Sequence, residues 1–404
     1  MGYSRAVEAH TLEKMADLVV DFGANVQPGQ RVHIGASIGQ EELARAVAAR
    51  CYRAGAVFVH VAYRDPWVQR ARLDDAVDEA LGYEPGWIVQ MIRELGEDRG
   101  ATIGLSGPVA PGLLDGADPD RIRRDLPPGR REALENMTAA RLNWSAIPCP
   151  TAGWAALVHP DLDADAALAR LWEQVVHICR VDEPNPVAAW GERMDQIERA
   201  KAALNELSLD AVHLRGPGTD LEIGLLPSSQ WMGGHLTTNY GLVHHPNLPT
   251  EEVFAVPDPE RVQGTVRSSK PLQLDGSVVR DFTVEFDGGR VKRIEAAANG
   301  EVLEAYASRD EGASRLGEIA LVDARGRVGP LQTVFYDTLI DENAASHMAL
   351  GQGFDWAVGD DDIPRINRSQ IHVDFMFGSD EVEVDGVTGG GERIPLLRGG
   401  AWQV

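Results

Sequence analysis

Histidines and carboxylates recur in the last third of the chain inside segments that are otherwise apolar, a setting in which such groups hold divalent cations. The clearest is Gln370-Ile371-His372-Val373-Asp374-Phe375-Met376-Phe377. Its alternation predicts a half-buried strand. Ile371, Val373, Phe375 and Phe377 then face a core, while His372 and Asp374 point together to the other side, one pleat repeat apart. An imidazole and a carboxylate on one face suit Zn, Mn, Co or Fe, and no thiolate in the segment narrows the choice.

Further segments carry the same residue types. Asp341-Glu342-Asn343-Ala344-Ala345-Ser346-His347-Met348-Ala349-Leu350-Gly351 reads as a short helix with an acidic first turn and a glycine stop. Asn343 and His347, four apart, would share a face of it. Leu316-Gly317-Glu318-Ile319-Ala320-Leu321-Val322 predicts a buried strand with one carboxylate, Glu318, which needs a partner there. In Asn247-Leu248-Pro249-Thr250-Glu251-Glu252-Val253-Phe254 a proline loop and paired acids enter an apolar run. Together these segments predict a two-metal site.

These stretches also resemble a known family, the M29 metallo-aminopeptidases, sometimes called thermophilic aminopeptidases. The resemblance is carried by Pro249 to Phe254, Gly317 to Val322, Asp341 to His347 and His372 to Phe375. It runs nearly end to end, through Gly216-Pro217-Gly218-Thr219-Asp220-Leu221 and Leu397-Arg398-Gly399-Gly400-Ala401-Trp402. It implies a dinuclear site of Zn, Co, Mn or Mg held by Glu252, Glu318, His347, His372 and Asp374, with Glu342 as a further ligand or the base. The family carries a tyrosine after its motif histidine that is thought to assist catalysis; this chain has Phe354 at that place.

The chain is long enough, at 404 residues, for two domains or one large one. A formal charge of -24, from 38 basic against 62 acidic residues, repels nucleic acid and anionic lipid as partners. Cys51, Cys149 and Cys179 are too scattered for a disulfide framework or a thiolate zinc site, which fits a reducing cytoplasm. The N-terminus turns acidic at Glu8 before any apolar h-region develops, and no run reaches membrane-spanning length. A cytoplasmic location is the expectation.

Strands must position the candidate groups, and the order of elements predicts which kind of sheet supplies them. Helical periodicity over 9–24 precedes a strand at Arg31 to Gly35, a helix at Glu41 to Ala54, a strand at Ala56 to Tyr63, a helix near Trp87 to Leu95 and a strand at Ala101 to Gly107. That alternation predicts a parallel α/β sheet. Gly35-Ala36-Ser37-Ile38-Gly39 lacks the spacing of a dinucleotide loop, and His33 and His60 read as sheet-face residues. Proline, glycine and aspartate dominate Pro108 to Pro128, which places a boundary near residue 107. Helices are expected at Arg130 to Leu142, Ala164 to Ile178 and Pro186 to Leu207, and an extended segment at Asn143 to Pro150. Beyond Leu209 strands and hairpins take over, with Asp287-Gly288-Gly289 as a turn. His244 and His245, adjacent in an extended segment, would point opposite ways, so at most one serves a site.

The expected fold is a small N-terminal parallel α/β domain, 1–107, and a larger β-rich α+β metal-binding domain, 108–404. The expected activity is hydrolysis of N-terminal residues from short peptides or aminoacyl substrates. In that reading two cations acidify a water and polarise the carbonyl, and Glu342 or Glu251 takes the proton. The resemblance also implies a homodimer. Two alternatives use the same residues: a non-haem iron ring-cleaving dioxygenase of the dihydroxypyridine type, built on His347, His372 and Asp374, or a non-catalytic homologue in which Phe354 marks lost activity.

Overall fold

Alternating apolar residues set up the first sheet. In Arg31–Ser37 the side chains of Val32, Ile34 and Ala36 are buried and their neighbours are not. The computed structural model describes residues 8–125, 127–274 and 277–404. Four parallel strands lie in the order Phe58–Arg64, Arg31–Ser37, Ala101–Ser106, Asn143–Pro148. Helix Glu41–Arg53, between the first two in sequence, buries Leu43, Ala44, Val47 and Cys51 at helical spacing. Its acidic first turn and basic last turn complement the helix dipole. The helix expected over 9–24 is regular only across Ala9–Asp17 and continues as a π-turn, Leu18–Gly23.

The chain forms two units, and neither is one continuous run of sequence. The first comprises Met1–Gly191 and His235–Pro249, the second Glu192–Gly234 and Thr250–Val404. Residue 107, where composition suggests a boundary, lies inside the first unit, because Asn143–Pro148 completes its sheet.

The two largest sheets of the second unit are antiparallel. One has eight strands in the order Arg290–Glu295, Thr283–Asp287, Pro257–Arg267, Thr219–Leu225, Leu209–Gly216, Glu383–Thr388, Arg393–Arg398, Ala401–Trp402. Its first hairpin turns at Gly288 and Gly289, both at positive φ, as the Asp-Gly-Gly sequence predicts. The other has four strands in the order His372–Met376, His347–Gly351, Leu316–Val322, Glu252–Ala255. The five expected ligands lie on this smaller sheet, and Glu342, the further candidate, lies in a 3-10 turn just before one of its strands. The sheet's far face is core: Ile371, Val373, Phe375 and Phe377 are at most 6% exposed, and Phe375 packs edge-on against Phe282 at 5.5 Å.

One element of this smaller sheet differs from expectation. The helix predicted from Asp341 to Gly351 ends almost where it should start. Thr338–Asp341 is a single turn, Glu342–Ala344 is a 3-10 turn, and Ala345 is extended at φ -164°. His347–Gly351 then enters the sheet as a fully buried strand between its two neighbours. A buried apolar run lacks the polar positions that reveal its period, so strand pairing on both sides overrides local helix signals. Asn343 and His347 therefore do not share a helical face.

Candidate metal centre

Register decides which side chains meet. Glu252 pairs with Val322, Phe254 with Ala320, Ala320 with His347, and Glu318 with Ala349, which pairs in turn with Asp374. Paired residues share a face, so Glu252, Glu318, His347 and Asp374 rise from one side of the sheet. His372, opposite Gly351, joins them. Between the ligating types stand Ala320, Ala349 and Gly351, whose small size leaves room above the sheet. The strand bulges at Gly317, where a Cβ would come within 2.4 Å of the Gly351 carbonyl, and the bulge aims Glu318.

Glu318 lies between two sets of donors. His347 Nε2 is 3.0 Å from Glu252 Oε2 and 3.8 Å from Glu318 Oε1, while His372 Nε2 is 3.3 Å from both Glu318 Oε2 and Asp374 Oδ1. Two groups result, Glu252–Glu318–His347 and Glu318–His372–Asp374, each with its ligand atoms within 4.8 Å of one another. Bonds of about 2.1 Å to a common ion put neighbouring donors about 3.0–3.5 Å apart. Glu252 Oε2 is buried and faces His347 Nε2 at 3.0 Å, with no other partner among the described residues. An acceptor in that position is satisfied by a cation.

Both imidazoles are held with Nε2 facing the carboxylates. His347 Nδ1 donates to the Ala345 carbonyl at 3.2 Å, and His372 Nδ1 donates to the Gln352 carbonyl at 2.8 Å. This fixes the tautomer that a metal ligand requires. Gly351, at φ 108°, turns the chain just before Gln352, where a side chain would strike the Ile371 carbonyl.

The charge balance is anionic. Burial opposes a charged His347, but Glu252, Glu318 and Asp374 outweigh it and push the imidazole up to about 10. For His372 burial is again outweighed, by Asp374 and Glu318, and its value stands well above the usual. Burial raises Glu318 against the pull of His372. Burial, followed by the Glu252 and Asp374 charges, raises Glu342 well above the ordinary carboxyl range. Asp374 resists burial and stays low because His372 and His347 face it. Without metal, the carboxylates around both imidazoles favour their charged forms.

The family model of thermophilic metalloproteases (M29) matches residues 8–402. The chain belongs to the M29 family. Aminopeptidase T of Thermus thermophilus is 39% identical over 402 residues, covering 97% of this chain and 98% of that one. Aminopeptidase 2 of Geobacillus stearothermophilus is 36% identical over 403 residues, covering 97% of each. The solved structure of wild-type AmpT from Thermus thermophilus superposes with a TM-score of 0.91 at 38% identity, covering 98% of this chain and 99% of that one.

On this M29 chain the five residues expected as ligands come together, with Glu342 close enough to feel their charges. Glu251 does not join them. Adjacent strand residues point opposite ways, and Glu251 turns to Arg193, whose Nε donates to Glu251 Oε2 at 2.5 Å and whose Nη2 donates to Asp323 Oδ1 at 2.7 Å. All three side chains of this triad are at most 4% exposed. Asn343 Oδ1 accepts from the Glu251 amide at 2.6 Å. Sequence reasoning missed Arg193 and Asp323, although the second acid of a buried pair needs a cation of its own. His244 and His245 belong to the first unit, where His245 Nδ1 donates to the Phe22 carbonyl at 3.0 Å. Phe354 has its ring centroid 5.2 Å from that of His372.

Proposed function

We propose that this chain is a metal-dependent aminopeptidase with a dinuclear centre in which Glu318 is shared, flanked by Glu252 and His347 on one side and by His372 and Asp374 on the other. The observation that carries this reading is the placement of the two Glu318 oxygens, one toward each histidine. The M29 relatives named aminopeptidase T and aminopeptidase 2 support the choice of reaction. Divalent ions bound there supply Lewis acidity toward the scissile carbonyl and toward a water.

The chain's own groups do the rest. Glu342, whose affinity for a proton is raised by burial and by the Glu252 and Asp374 charges, takes a proton as the carboxylate from the attacking water and returns it to the leaving amine. The surplus of carboxylates receives the substrate's free α-ammonium. Glu251, engaged by Arg193, is not the base. Phe354 occupies the place of the family tyrosine and offers a ring without a hydroxyl.

Short peptides are the proposed substrates. A homodimer is also proposed on the family resemblance, and a cytoplasmic location on the scattered cysteines. Among the described residues no helix is long and apolar enough to cross a membrane. Against the dioxygenase reading, His347 groups with Glu252 and Glu318, and no group among the described residues joins both histidines to Asp374. The test is metal analysis of protein purified without chelator, alongside hydrolysis of leucyl-p-nitroanilide. Two ions per chain with turnover is the expected result; one iron and no turnover would overturn the reading.

A further inference from the structure

Beside the charged centre stands a patch of opposite character. Phe254, two residues after Glu252 on the same strand, faces the same way. Its ring meets Phe354 at 5.8 Å and Trp356 at 5.5 Å, both edge-on, and Phe354 and Trp356 lie 5.1 Å apart. The Phe354 ring also tilts against His372 at 5.2 Å, so the aromatic group is continuous with the proposed ligands. Phe354 packs on a core cluster of Leu226, Val256, Ala357 and Ile366, which gives the wall a firm back. Trp356 is 40% exposed despite its two aromatic neighbours.

We propose that Phe254, Phe354 and Trp356 receive the side chain of the substrate's N-terminal residue and select large apolar side chains, aromatic ones above all. This rests on the aminopeptidase reading and names the substrate class within it. The N-terminal residue of a peptide is a cation and a side chain on one carbon. The site offers carboxylates for the cation and, against His372, three rings for the side chain. Edge-to-face packing of rings is favourable, and the exposed Trp356 has surface left with which to make such a contact.

The experiment uses the full metal-loaded chain, its Trp356→Ala variant and a milder Phe254→Leu variant, with metal content and thermal melting checked for each. The kcat/KM ratio of phenylalanyl- to alanyl-p-nitroanilide should fall about tenfold in Trp356→Ala, chiefly through KM, and by less in Phe254→Leu. Calorimetric binding of free L-phenylalanine against L-alanine should lose its preference in parallel, a readout that needs no turnover. An unchanged ratio in folded, metal-loaded variants that still turn over would overturn the selectivity proposal and leave the peptidase reading standing. Absent turnover, with the binding preference present in wild type and lost on substitution, would uphold the pocket and count against the reaction instead.

Discussion

Two pairs of histidines in this chain have opposite surroundings. In the first unit His33 and His60 sit opposite each other on adjacent parallel strands, their Nδ1 atoms 3.0 Å apart. Burial, followed by the neighbouring imidazole, pushes His33 down to about 4. In the second unit His347 and His372 stand among carboxylates that drive both upward. A histidine on a sheet face is a cation-binding candidate when carboxylates share that face, and a neutral structural group when they do not. The sequence difference is small: Glu318 and Asp374 occupy face positions on the second sheet where the first has Thr102 and Trp144 in the row of His33.

The largest effect should come from removing what the second pair serves. Chelation should abolish hydrolysis of leucyl-p-nitroanilide and divalent metal should restore it. Glu318→Gln, which takes away the proposed shared ligand, should lower activity and metal affinity by about a hundredfold or more. Unchanged activity after verified metal removal would erase the contrast between the two pairs.

Next comes the ion triad behind the site. Arg193→Met leaves Glu251 and Asp323 buried without their cation and should cost about 3–5 kcal/mol of stability, read by denaturant unfolding of the second unit. A variant as stable as wild type would mean that the triad does not hold the strand of Glu252.

Phe354→Tyr tests the missing hydroxyl. Loss of one donor to a developing oxyanion typically costs about a hundredfold to a thousandfold in turnover. Restoring it should raise turnover of aminoacyl amides, by about tenfold or more if placement is imperfect, with metal content unchanged. An unchanged or lower rate in a folded, metal-loaded variant would show that this site needs no donor there.

The smallest effect concerns pH and sets the pairs directly against each other. The folded-state value of His33 lies below its unfolded one, so its contribution to stability is present above about 6.5 and is lost as pH falls toward 4. His347 is raised, so in metal-free protein its contribution is present below about 6.5 and is lost as pH rises toward 10. Comparing melting of His33→Gln with wild type from pH 7 to 4 should remove a drop of about 1–3 kcal/mol. Equal pH profiles would mean that His33 is protonated in the fold at no cost.

The legible parts of the site were those with a period. Ile371, Val373, Phe375 and Phe377 alternate, and this alone turns His372 and Asp374 to one side. Glu318 in an unbroken apolar strand announced a need for a partner. His347 was legible as a residue and not as a strand, because Met348, Ala349 and Leu350 are all buried and carry no alternation. The division of the first unit was hidden for another reason: His235–Pro249 returns to it through long-range contacts, such as the hydrogen bond from Ala146 N to Pro246 O, that no local composition reports. The aromatic group was hidden likewise, since Phe254 and Trp356 lie about a hundred residues apart in sequence and meet only through the sheet.

Glu251 and Glu252 stand back to back on one stretch of chain, the first locked to Arg193 and the second directed at the proposed ions. The locked half owes nothing to metal. Loss of a proposed ion would leave the Arg193–Glu251 pair, and with it the entry to the Glu252 strand, in place.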